Sequence, residues 1–168
     1  WHTFYGSDNA ENAGGIAVDG NGNVYVVGSS YDWGAPLHAN GGSLDAFILK
    51  LNGDGQYQWH TFYGSSHLDT GYKIAVDSGG NLYVAGYSFQ TWGAPLHDHS
   101  GTLFFDMFVM KLNNSGEYQW HTFYGSNVDD NVRDIILDGS GCVYLTGSSD
   151  GTWGRRFKVI PAVRIFLF

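Results

Sequence analysis

The chain has one cysteine, Cys142, three prolines and no apolar run of about 18 residues, the length that would make a membrane-spanning helix. A single cysteine leaves no internal disulfide framework and no thiolate metal cluster, and three prolines do not make a proline-rich linker. Positive charge is scarce, with 8 Lys and Arg against 16 Asp and Glu. Four of those cations (Arg155, Arg156, Lys158 and Arg164) sit in residues 155–168, so residues 1–154 are strongly acidic and unsuited to gripping nucleic-acid phosphates. Also missing are GxSxG, HExxH, P-loop and Cys/His nucleophile patterns, and nothing selects a pair of carboxylates for glycoside hydrolysis. The expectation is a non-enzyme without metal or cofactor. The sequence opens at Trp1, in mid-repeat, without Met or a signal peptide, and reads as an internal piece of a longer protein.

What is abundant is glycine, with 25 residues, and aromatic side chains at 17% within an apolar share of 43%, ample for a buried core. Tyr, Phe, Trp and Val crowd segments separated by Gly and Asn, a strand-and-turn composition. The heptapeptide WHTFYGS opens at Trp1, Trp59 and Trp120. Between its copies GIAVDGNGNVYVVGSS (14–29), KIAVDSGGNLYVAGYS (73–88) and DIILDGSGCVYLTGSS (134–149) return in the same order, so one supersecondary unit is repeated. In the first full unit four strands are expected, near 15–19, 23–29, 45–51 and 56–63, with hairpin turns at DGNGN (19–23) and NGDG (52–55). A long loop lies between the second and third. Tandem four-stranded units fit a β-propeller better than a solenoid, which needs shorter rungs, or an immunoglobulin-like array, which needs about seven strands per unit.

The expected fold is therefore all-β: a partial β-propeller of tandem four-stranded antiparallel blades, about two and a half of them. Blades fall at about 12–63 and 70–124 with a partial one at 131–154, and residues 1–5 form the outer strand of a preceding blade. Residues 155–168, RRFKVIPAVRIFLF, carry none of the repeat's landmarks. They read as a frameshifted or truncated tail that borrows a strand position by being apolar, with a basic surface anchor as the alternative.

The order WHTFYG, IAVDGNGNVYVVG and DAFILKLNGDG in the first unit, and WHTFYG, IAVDSGGNLYVAG and DMFVMKLNNSG in the second, resembles the SBBP family of bacterial β-propeller repeats. The resemblance covers about residues 1–154, and the third unit departs at Ile136, Leu137 and Cys142. It implies a secreted or surface-attached bacterial protein with a multi-bladed propeller, and no catalytic residue set to carry over.

Strand alternation places the long loops of successive blades on one face, gathering Trp33, His38 and Asp45 from the first unit and Trp92, His97, His99 and Asp106 from the second. Two readings of this face stand. In one, Trp33, Trp92 and Trp153 offer flat surfaces to a glycan or protein while carboxylates and imidazoles supply hydrogen bonds. In the other, the recurrent WGAPLH folds back to plug the blade edge. Asp19, Asn21 and Asn23 are spaced like calcium-loop ligands, but the second unit loses the middle one and plain hairpin turns are expected. His97 and His99 lack a third ligand nearby, and His2, His60 and His121 read as strand surface. The function these features suggest is a non-catalytic extracellular or cell-surface scaffold for interaction or adhesion, with glycan or protein partners. The alternative is an accessory propeller segment of a larger secreted carbohydrate-active enzyme.

Overall fold

The computed structural model describes residues 1–101, 103–151 and 163–167. Every regular element in it is a strand. The first blade is β1 (Asn12–Val18), β2 (Val24–Ser30), β3 (Asp45–Leu51) and β4 (Tyr57–Tyr63), and the second is β5 (Asp69–Val76), β6 (Leu82–Ser88), β7 (Asp106–Leu112) and β8 (Tyr118–Tyr124). Each is a separate antiparallel sheet in chain order. The three-residue insertion of the second period falls in the long loop, 89–105 against 31–44, as the landmark spacing predicts.

The turns follow from local chemistry. Asp19 Oδ1 accepts from the Asn21 and Asn23 amides, both at 2.9 Å, and Gly22 takes φ of 83°, the left-handed value the tight hairpin requires. Asp77 and Asp138 repeat this arrangement. Their oxygens are occupied by turn donors, and Asp138 is held down at about 2, chiefly by the Ser140 hydroxyl.

Blade packing explains why the strands do not alternate apolar with polar. In β7, Phe108, Met110 and Leu112 face blade 1 and join Tyr25, Val27 and Ile48 in one core, while Met107 and Val109 face the other way with Val132, Ile135 and Leu145. Both faces of the sheet are buried, so the run from Met107 to Met110 is apolar without alternation. The contrast among equivalent isoleucines shows what a neighbour contributes: Ile74 is 8% exposed and Ile135 5%, but Ile16, on the open face of blade 1, is 67% exposed.

Residues 1–5 have no strand partner among the described residues, yet they sit against blade 1 as β4 sits against blade 2. The Trp1 indole lies on Gly55 as the Trp59 indole lies on Gly116. Tyr5 is 6.5 Å from Trp33 and 5.9 Å from Tyr57, and Tyr63 is 6.2 Å from Trp92 and 6.0 Å from Tyr118.

The third sheet joins β9 (Asp130–Leu137), β10 (Val143–Ser149) and β11 (Val163–Leu167) in the order β11-β10-β9. β11 takes the third-strand position beside β10 but runs parallel to it, against the antiparallel β2–β3 and β6–β7 pairs. Val163 is buried in the core shared with blade 2. Trp153 and the rest of 152–162 lie outside the described residues.

Candidate functional site

The long loop of each blade folds back along the outer strand. Leu37 N donates to His60 O and Phe62 N to His38 O, at 2.9 and 3.0 Å, so residues 37–38 cap the free edge of β4. Leu96 and His97 do the same along β8. This satisfies an edge that would otherwise recruit another strand.

The WG pair of the loop is held by a histidine that sequence reasoning assigned to the strand surface. His60 and His121 are instead buried, each 1% exposed. The His60 ring stacks on Trp33 at 3.7 Å and 5°, and His121 on Trp92 at 3.7 Å and 7°. Nε2 donates to the Trp33 carbonyl at 2.8 Å and to that of Trp92 at 2.9 Å, while Nδ1 accepts from Tyr57 or Tyr118 hydroxyl, both at 2.8 Å. Burial lowers both imidazoles, His121 to about 4, so they are neutral near pH 7 and the tautomer follows from the partners. Gly34 and Gly93 pass close over the ring edges at φ of 60° and 57°. The error came from strand periodicity, which cannot see a loop returning over the outer face. The available signal was the identical YQWH that accompanies each WGAPLH.

The other predicted residues divide. His38 is exposed, donates from Nδ1 to Phe62 O at 2.9 Å and stacks on Tyr63 at 5.1 Å and 9°. His97 turns to Asp98 O, whereas His99 turns inward, reaching Ser88 O through Nε2 at 3.0 Å, the place taken by Asn40 on Ser30 O in blade 1. The two histidines thus diverge, and among the described residues no group of three or more His, Cys, Asp or Glu is placed to hold a metal. Asp45 and Asp106 are buried at the start of β3 and β7, accepting from Gly41 N and Ser100 N, both at 2.6 Å. A second signal went unread: Ser7 with Glu11, Ser65 with Asp69 and Ser126 with Asp130 form Ser-x-x-x-carboxylate turns in which the carboxylate takes the serine amide and hydroxyl.

Of the seven candidates, His99 and Asp106 meet at 3.8 Å within blade 2, and His38 and Trp92 come together across a seam. The latter two line a cleft of about 310 Å³ at the seam of blades 1 and 2, with Tyr63, Tyr118 and His121. Trp33 holds the equivalent place one seam earlier, beside Tyr5, Tyr57 and His60. The indole N–H groups of Trp33 and Trp92 are buried without a partner. On the opposite rim a polar cleft of about 240 Å³ lies between Asp19, Asn21, Lys50, Asp77 and Asn114, with Lys50 Nζ donating to Asn114 O at 3.0 Å. No helix among the described residues is long and apolar enough to cross a membrane.

Residues 1–32 and 58–88 match the family SBBP, the beta-propeller repeat. The second match runs from β4 through β5 and β6 and so straddles the seam of blades 1 and 2; the first runs from residues 1–5, which lie against blade 1 as β4 lies against blade 2, through β1 and β2. Trp33, His38, Asp45, Trp92, His97, His99 and Asp106 all lie outside the matched stretches. The chain is also similar to Regulatory protein FlaEY of Caulobacter vibrioides, 28% identical over 165 residues that cover 91% of this chain and 17% of that protein. It therefore spans a small fraction of that relative's length.

Proposed function

We propose that this propeller segment is a non-catalytic binding scaffold, exposed outside a bacterial cell, that presents its seam clefts to a glycan. The observation that carries the reading is the cleft of about 310 Å³ between Tyr63, Tyr118, His38, Trp92 and His121. Aromatic faces beside the His38 Nε2, an acceptor once Nδ1 donates to Phe62 O, match the alternating apolar and hydroxyl surfaces of a sugar ring. The walls come from two blades packed through a common core, so the site is preorganised. Similarity to a protein named as regulatory agrees with a role exercised through contacts.

Screening the chain on a glycan array, followed by titration of the best binder, tests this. Tyr118→Ala and His38→Ala should each weaken binding about tenfold, the loss of one buried contact. Absence of glycan binding combined with capture of a surface protein sensitive to the same substitutions would move the reading to a protein partner. Binding indifferent to both substitutions would overturn the cleft.

A further inference from the structure

The seam of blades 1 and 2 encloses two carboxylates that the glycan-binding reading does not use. Asp45 on β3 and Asp69 on β5 are each 0% exposed, and they approach Gly64 from opposite blades. The point a Gly64 Cβ would occupy lies 2.6 Å from Asp45 Oδ1 and 2.7 Å from Asp69 Oδ2. Asp69 is fully supplied with donors, from Ser65 N, Ser65 Oγ and Ser88 Oγ. Asp45 has Gly41 N on Oδ2, and its Oδ1 is buried with no partner. No Lys or Arg forms an ion pair with either among the described residues. The other titratable groups facing the pair are His67, in the turn before β5 and acting on Asp69, and Glu11, which reaches Ser30 beside Asp45 in the sheet.

An ionised Asp45 would leave a bare oxygen facing a second carboxylate in a water-poor seam, whereas a protonated Asp45 gains a donor where one is lacking. We infer that Asp45 and Asp69 form a proton-operated latch between adjacent blades, closed when one proton is held by the pair and loosened when both carboxyls ionise. Burial first, then the Asp69 charge, pushes Asp45 up to about 7, and burial raises Asp69 as well. The next seam repeats the device in altered form: Asp106 faces Asp130, and His99 Nδ1 stands 3.8 Å from Asp106 Oδ2, where it offsets part of the charge only when the ring is protonated.

For a carboxyl whose folded pKa is raised, stability is complete below the unfolded value and is lost as pH climbs through the folded value. The test compares wild type with Asp45→Asn, and separately with Asp69→Asn in case the first substitution prevents folding. Urea unfolding should show the asparagine variant gaining on wild type by about 30-fold or more in the folding constant between pH 4.5 and pH 8. Hydrogen exchange, corrected for the intrinsic rate, should show β3 and β5 of wild type losing protection from pH 6 to pH 8 while the variant does not. A gap between variant and wild type that stays constant with pH, or seam protection that does not change, would overturn the latch. Protection at pH 8 restored by calcium and removed by chelator would overturn it in favour of a cation site.

Discussion

At the residue scale, the histidine that locks each WG loop combines a stack, a hydroxyl and a carbonyl in a site closed to water. Removing one member leaves the others unpaired, so His121→Ala is expected to cost about 2–4 kcal/mol, the usual range when a buried hydrogen-bonded ring is truncated. The same residue sets a pH response. His121 is depressed to about 4 in the fold, below its unfolded value of about 6.5, so its stabilisation is whole above pH 6.5 and is lost as pH falls towards 4. The linked loss is about 3 kcal/mol. Denaturant titrations of wild type and His121→Gln at pH 7 and pH 4.5 isolate it, because the Asp45 contribution, which runs in the opposite direction, cancels between the two proteins. Gly64 carries a different constraint. A methyl at that position would stand 2.6 Å from Asp45 Oδ1 and against the Asp45 Cγ at 2.7 Å, so Gly64→Ala should lower the melting temperature by several degrees at pH 6, read by calorimetry.

At the element scale, the long loop works as a detachable edge strand. Its two backbone bonds to β4 and two to β8 occupy groups that an edge strand would otherwise present to other chains. Replacing the donor while keeping the side chain apolar tests this: Leu37→Pro and Leu96→Pro remove the amides that reach His60 O and His121 O. The double variant is expected to aggregate faster at equal concentration, followed by light scattering. An unchanged rate would show that the edge is guarded by the Trp and His packing alone. The parallel β11 shows the converse. An apolar, β-prone segment can occupy the open edge of β10 without the Asp-x-Phe start or the antiparallel direction that define the third strand of the two complete blades.

At the scale of the whole molecule, blades are stable in proportion to the faces their neighbours cover. The open face of blade 1 exposes Ile16 at 67% and Val18 at 60%, and residues 1–5 add Phe4 at 91%, apolar surface of the kind that associates in water. The isolated chain should therefore self-associate at micromolar concentration, and Ile16→Lys should shift it towards monomer in light scattering coupled to gel filtration. A monodisperse wild-type monomer would contradict this.

Repetition in the sequence determined the blades, their hairpins and the site of the three-residue insertion, because turn residues and strand composition act over a few neighbours and recur with the unit. Tertiary structure alone decided the burial of His60 and His121, the inward turn of His99 and the meeting of Asp45 with Asp69. Those contacts join a loop to a strand 27 or 29 residues away, or one blade to the next, and strand periodicity holds no information about which face a neighbour will cover.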